Sequence, residues 1–276
     1  VAAASKNEAA FYSPAIPALD PPVLDWAAPG GCAVRPPSGA DDFLVLIPAF
    51  NESGAIADVI REVREVAPRA PILVVDDASK DGTYGRATLA GAEVLRLPYH
   101  LGLGGCLQAG YRLAYELGYQ YVIRVDGDGQ HDPKYIPDLL KVLRTTGCHM
   151  VIGSRFYQNN GKHTSIVRGI GIWVFRMVLR PILGQPVHDP TSGFVGVNQE
   201  ALQVFSQSFP LEYPEIEALV VLQRKRFRFQ EVPCQMRRRK AGRSSITAVK
   251  SLYYIIHVLL GVFINILKFE GRQRKK

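Results

Sequence analysis

Cysteine is sparse in this 276-residue sequence: Cys32, Cys106, Cys148 and Cys234, with no Cys-x-x-Cys pair among them. That spacing argues against a zinc site or a disulfide framework and leaves structural thiols in a reducing compartment as the expectation. No apolar run reaches the roughly 20 residues of a membrane-spanning helix. No basic region followed by an apolar core opens the sequence, so a secretion signal is not expected. Acidic residues are in the minority, 25 against 33 Lys and Arg, and the formal net charge of +8 calls for an anionic partner: nucleic acid, a nucleotide or an acidic membrane surface. Hydrophobic residues make up 47%, which excludes a disordered or fibrous chain. That is enough for one α/β domain of about 200 residues with appendages.

Residues 1–40 carry seven prolines, from Pro14 to Pro37, and few periodic apolar positions, so an extended or disordered arm is expected. Regular patterning starts at Phe43-Leu44-Val45-Leu46-Ile47, a continuous apolar run ended by Pro48, as in a central parallel strand. Asn51-Glu52-Ser53 offers caps for a helix whose apolar positions Ile56, Val59, Ile60, Val63 and Val66 recur at helical spacing. The pattern then repeats. Strands are expected at 71–75, 93–97, 121–125 and 149–152. A Gly-rich turn, Gly102-Leu103-Gly104-Gly105, leads into a helix reaching about Leu117. Alternating strands and helices imply a parallel sheet with right-handed crossovers, and such sheets bind ligands beyond the carboxyl ends of their strands.

Three of those ends carry functional groups: Asn51 and Glu52, Asp76 and Asp77, and Asp126 and Asp128. The last sits in Asp126-Gly127-Asp128-Gly129-Gln130-His131, where glycines let the backbone turn close to a ligand and hard oxygens suit Mg²⁺ or Mn²⁺. Any one of these ends alone is also explained as a solvated turn. Three converging on one edge are not three unrelated caps.

In that order, Ile47-Pro48-Ala49-Phe50-Asn51-Glu52, Val75-Asp76-Asp77-Ala78-Ser79-Lys80-Asp81-Gly82-Thr83 and Asp126-Gly127-Asp128-Gly129-Gln130-His131 resemble the signature blocks of family 2 glycosyltransferases. Within that family the sequence is most similar to polyprenyl-phosphate glycosyltransferases such as dolichyl-phosphate mannose synthase. The resemblance implies a GT-A-type, Rossmann-like, mostly parallel sheet flanked by helices over residues 41–245. It also implies that Pro48, Phe50 and Glu52 line the base and ribose pocket, that Asp77 contacts the base and that Asp126 approaches the ribose. Asp128 and Gln130 would hold a divalent cation that bridges the donor diphosphate. Gly127 and Gly129 depart from the Ala and Leu of many relatives, changing bulk but not ligation.

Further blocks extend the resemblance. Gly153-Ser154-Arg155-Phe156-Tyr157 is similar to the motif whose arginine binds the acceptor phosphate. A guanidinium fork suits that task, although a surface ion pair is the plainer reading of Arg155 alone. Residues 165–183 form a helix-length segment with Ile166, Ile170, Trp173, Val174, Met177 and Val178 apolar and Arg168, Arg176 and Arg180 at multiples of four. Two readings stand, a helix in the headgroup region of an anionic bilayer or a basic surface helix packed on the domain. By resemblance, Arg168 is a second contact for the lipid phosphate.

His188-Asp189-Pro190-Thr191-Ser192-Gly193-Phe194 matches a block that shapes the sugar and acceptor pocket, with Ser192 on the acceptor side. Asp189 serves as general base only if the acceptor is a hydroxyl, because a phosphate needs no deprotonation. Glu215 and Glu217 occupy an acidic acceptor-side motif or simply stabilise a helix dipole.

The basic segment Met236-Arg237-Arg238-Arg239-Lys240-Ala241-Gly242-Arg243-Ser244-Ser245 is similar to the family's Arg-x-x-Gly-x-Ser loop, with Arg239 and Ser244 on matching positions over the diphosphate. Its usual lysine is replaced by Ser245, leaving Lys240 or Arg243 to supply that charge. No aromatic platform accompanies these residues, so nucleic acid is not expected as a partner. Residues 252–267 are almost wholly apolar and flanked by basic residues, which fits immersion in the cytoplasmic leaflet at residues 246–276, or an oligomer contact.

The expectation is thus an inverting, metal-dependent glycosyltransferase at the cytoplasmic membrane face. It would move a sugar from a UDP- or GDP-linked donor to a polyprenyl phosphate, with homo-oligomerisation open. A soluble or glycan hydroxyl acceptor, and a non-catalytic nucleotide-sugar binder or membrane scaffold, are the alternatives.

Overall fold

The computed structural model describes residues 36–37, 42–157 and 166–237. Nearly all of the Pro-rich arm, Arg239, Ser244 and the apolar stretch 252–267 lie outside the described residues. The side chains of residues 166–172 and 174 do as well, Arg168 included.

The order of elements is β1 (Phe43–Ala49), α1 (Ile56–Val66), β2 (Ile72–Asp76), α2 (Thr83–Leu89), β3 (Glu93–Arg96), α3 (Gly102–Glu116), β4 (Tyr121–Arg124), α4 (Ile136–Thr146), β5 (Met150–Ser154), α5 (Ile166–Leu183), β6 (Val195–Asn198), α6 (Gln199–Gln207), α7 (Pro214–Arg224) and β7 (Phe229–Pro233). The β-branched and leucine runs become the centre of the sheet because they are apolar on both faces. Leu44 to Ile47 and Leu73 to Val75 have no exposed surface. α1 closes one face through Ile56, Val59, Ile60 and Val63, a stripe at helical spacing, each worth roughly 1.5–3 kcal/mol when buried. On the other face α3 packs against α6, with Tyr111 5.5 Å from Phe205 and 5.2 Å from Phe209, ring centre to ring centre.

One seven-stranded sheet results, in the order β3-β2-β1-β4-β6-β5-β7. β1 is parallel to both β2 and β4, and β2 to β3. β6 alone runs antiparallel, to β4 and β5, so the sheet is mixed and mostly parallel, as the resemblance implied. Val195 to Asn198 is a four-residue strand with no directional signal of its own, and the route of the chain out of α5 sets its sense.

A correction concerns Gly102-Leu103-Gly104-Gly105, which is not a turn but the first turn of α3. The glycines serve different ends: Gly102 takes a left-handed φ of 77°, whereas a Cβ on Gly104 would lie 2.3 Å from the Leu211 Cα. A smaller shift is at a strand end, where β5 runs two residues beyond its expected limit at Ile152.

α5 also differs in which face it buries. Phe175, Leu179 and Leu183, four residues apart, pack inward, whereas Trp173 and Met177 are 61% and 56% exposed. Arg176 leaves the expected arginine row altogether, because its Nε donates to the His188 carbonyl at 2.7 Å. Among the described residues, no helix is long and apolar enough to cross a membrane.

Candidate active site

The carboxyl ends of β1, β2 and β4 open onto one cleft of about 340 Å³. Pro48, Phe50, Glu52, Asp77, Asp126 and Asp128 all line it, as the sequence implied. Gln130, Arg155, Asp189 and Ser192 are not among its lining residues, while His100, Leu103, Cys106 and Arg124 are, none of which the sequence marks as a site residue.

At the β1 and β2 ends two loops brace each other. Asn51 N–H donates to Ser79 Oγ at 2.9 Å, and Lys80 N–H returns to Asn51 Oδ1 at 3.0 Å. Asn51 and Ala78 both sit in the left-handed region, at φ 55° and 57°. Asn tolerates that conformation; Ala there costs of order 1 kcal/mol, a strain typical of backbone held at a ligand site. Glu52 is set by its N–H bond to Thr83 Oγ1 at 2.9 Å.

Asp77, 2% exposed, caps α3: its carboxylate accepts from Leu101 N–H at 2.7 Å and Gly102 N–H at 2.9 Å. An acid is favoured there by the unpaired amides and dipole of the helix N-terminus. His100 Nδ1 lies 2.8 Å from Asp77 Oδ2, and its ring stacks on Phe50 at 4.1 Å. Cys106 donates to the Val75 carbonyl, and burial pushes its thiol up to about 12, so no thiolate faces the cleft at neutral pH.

The β4 end is organised by Arg124. This guanidinium, 3% exposed, donates from Nε to Asp126 Oδ1 and from Nη2 to Glu215 Oε1, both at 2.9 Å. Burial alone would lower its pKa, but the two carboxylates more than offset that and hold it above the usual arginine value. Gly193 leaves room for the pair, since a Cβ there would lie 2.7 Å from both Arg124 Nη2 and Asp126 Oδ2.

His131 stacks on Phe194 and accepts from Asp126 N–H through Nδ1 at 3.0 Å. Burial pushes the His131 pKa down, so the ring is neutral with its proton on Nε2, 3.7 Å from Asp126 Oδ2. Asp128 is 6% exposed and its Oδ1 accepts from Gln130 N–H at 2.9 Å, while Gly129 turns the chain at φ 76°. That left-handed turn gives Gly129 a backbone role in addition to its lack of bulk.

The donor set suits a hard divalent ion. Among the described residues no three His, Cys, Asp or Glu side chains form a self-sufficient cage. One cleft carboxylate with a second already neutralised by arginine matches an ion that takes few protein oxygens and completes its shell with water and phosphate.

The second predicted group lies around Asp189. Arg155 forks onto it, Nε to Oδ2 and Nη2 to Oδ1, both at 2.6 Å, with Thr191 Oγ1 at 2.8 Å from Nη2. Asp189 has no exposed surface, and its N–H donates to Glu231 Oε1. A buried acid held by a fork has no path to a substrate proton, so the geometry gives Asp189 the task of orienting Arg155. Ser192 Oγ donates to the Gly153 carbonyl at 2.6 Å, which ties β5 to the loop before β6 instead of facing an acceptor.

Arg237, at the start of the basic segment, also went unread. Its N–H donates to the Gln130 carbonyl at 2.8 Å, and its guanidinium reaches Glu62 and Asp132. Arg237 is therefore held at the loop that follows Asp128.

A sequence model of glycosyl transferase family 2 matches residues 44–205. An undecaprenyl-phosphate mannosyltransferase of Micrococcus luteus is 35% identical over 167 residues, 58% of this chain and 68% of that protein. A UDP-N-acetylglucosamine–dolichyl-phosphate N-acetylglucosaminyltransferase of Methanococcus voltae is 26% identical, across 68% of this chain and 83% of its own length. Glucosyl-3-phosphoglycerate synthase of Mycobacterium tuberculosis, in a crystal structure with Mn²⁺, UDP-glucose and phosphoglyceric acid, superposes with a TM-score of 0.63. It is 25% identical, over 80% of this chain and 79% of that one. The fold is thus the mostly parallel GT-A type. With the family match covering more than half of its length, the chain belongs to glycosyl transferase family 2 and is a glycosyltransferase.

Proposed function

We propose that the protein transfers a sugar from a nucleoside-diphosphate donor to a polyprenyl phosphate at the cytoplasmic face of a membrane, with inversion and with a divalent cation. The observation that carries this reading is the convergence of the β1, β2 and β4 ends on one cleft, where Asp128 is joined by Glu52, Asp77 and Asp126. Relatives named for undecaprenyl-phosphate and dolichyl-phosphate transfer support the acceptor class.

In this reading Phe50 and Asp77 hold the base, and Asp126, kept in place by Arg124 and His131, approaches the ribose. A phosphate oxygen of the acceptor attacks the anomeric carbon in line, the bond to the diphosphate breaks, and the nucleoside diphosphate leaves. Asp128 with Gln130 would hold Mg²⁺ or Mn²⁺, whose charge would offset the negative charge developing on the leaving group. Arg239 and Ser244, following the anchored Arg237, close over the diphosphate. Arg155 and Arg176, whose guanidinium carbons lie 5.4 and 5.3 Å from the Phe156 ring centre, form the acceptor-phosphate side, to which the family resemblance adds Arg168. Trp173, Met177 and Arg180 then face the bilayer surface.

Purified chain incubated with a sugar-nucleotide panel and a short polyprenyl phosphate should release nucleoside diphosphate and form an organic-extractable glycolipid. Sugar transfer confined to the aqueous phase would contradict the lipid acceptor. One observation favours that second reading: the glucosyl-3-phosphoglycerate synthase fold holds a soluble phosphoglyceric acid. In it the base would be Glu217, since Asp189 is committed to Arg155.

A further inference from the structure

Asp77 ends the base side of the cleft, and its hydrogen-bonding capacity is nearly spent. Oδ1 accepts from Leu101 N–H at 2.7 Å; Oδ2 accepts from Gly102 N–H at 2.9 Å and lies 2.8 Å from His100 Nδ1. A carboxylate offers about four lone-pair sites, two on each oxygen. Oδ2 is therefore filled, and Oδ1 keeps one site.

Resting on the reading of this cleft as a nucleotide-sugar site, we infer that the donor base is uracil and that the Asp77–His100 pair selects it against guanine. Uracil presents a single ring N–H, which one bond to Oδ1 satisfies. Guanine presents a ring N–H and an amine side by side and meets a carboxylate through both oxygens together. Here its second donor finds Oδ2 occupied. It must either expel His100 or be buried without a partner, and an unpaired buried donor costs about 1–3 kcal/mol.

Expelling His100 breaks two further contacts. Its ring stacks on Phe50 with planes 28° apart, and Nδ1 also lies 3.4 Å from the Asp77 carbonyl oxygen. The α3 amides cannot release Asp77 either, because they are the uncompensated donors of a helix terminus. His100 thus acts as the filter: with it in place Asp77 reads one donor, and without it two.

The test is isothermal titration of the full chain in detergent, with Mn²⁺, against UDP and GDP, for the native protein and His100→Ala. The His100 side chain is 54% exposed, so its removal leaves the fold intact. The native protein should bind UDP at least about tenfold more tightly than GDP, as expected where a site leaves a ligand donor unpaired. In His100→Ala that ratio should shrink, with the GDP affinity rising. Equal or tighter binding of GDP by the native protein overturns the inference while leaving the nucleotide cleft standing. An unchanged ratio in His100→Ala overturns it as well. If neither nucleotide binds, the reading of the cleft fails and this inference with it.

Discussion

Asp128→Asn is expected to reduce sugar transfer by about 100- to 1000-fold, the scale set by losing one preorganised electrostatic group from a charge-developing transition state. The expected loss is large because the substitution removes charge and almost nothing else. Asn keeps the oxygen that accepts from Gln130 N–H, so the turn through Gly129 survives. The side chain is 6% exposed within the cleft, and Asn has the same size, so the fold should be unaffected. Asp126 cannot substitute for it, since its Oδ1 is already bound to Arg124. Initial rates over a Mg²⁺ titration should show both lower turnover and a raised cation requirement. Full turnover at ordinary Mg²⁺ would remove Asp128 from the reaction.

Arg124→Met should lower stability by about 3 kcal/mol, the lower end of the range for stripping one partner from a buried ion pair. The lower end applies because Asp126 and Glu215 retain 30% and 14% of their side-chain exposure and water relieves part of the loss. In a domain of this size the melting temperature should fall by about 6–12 °C. The destabilisation comes from the stranded acids, so adding Glu215→Gln to Arg124→Met should restore part of it. A double variant no more stable than the single one would show that packing around the arginine stem, and not charge, is what Arg124 contributes.

The parts of this site legible in the sequence were those where chain position alone decides geometry. Apolar runs ending in Asp76-Asp77 and Asp126-Gly127-Asp128 place their acids at strand ends, and a parallel sheet gathers strand ends on one edge. What stayed hidden depends on partners distant in the chain. Arg155 and Asp189 are 34 residues apart, and nothing local tells that one edge of the guanidinium is held by a buried acid. Glu215 lies 91 residues from Arg124.

A signal existed for Arg124, because an arginine at the end of an otherwise apolar strand run demands carboxylates nearby. His100 carried none, since its meaning comes from the Phe50 ring beneath it and the Asp77 oxygen beside it. The three glycines at the start of α3 misled in the opposite direction. Gly104 is there because the backbone of Leu211 presses on the helix, and Gly102 because its φ is left-handed.

The central claim is that the acid-bearing ends of β1, β2 and β4 together hold a cation and the diphosphate of an activated sugar. Anomalous scattering from crystals grown with Mn²⁺ and a nucleoside diphosphate tests it most directly. The account predicts one Mn²⁺ peak at about 2.0–2.3 Å from an Asp128 oxygen, with the base beside Phe50 and Asp77. A nucleotide bound outside this cleft, or Mn²⁺ liganded without Asp128, would contradict it.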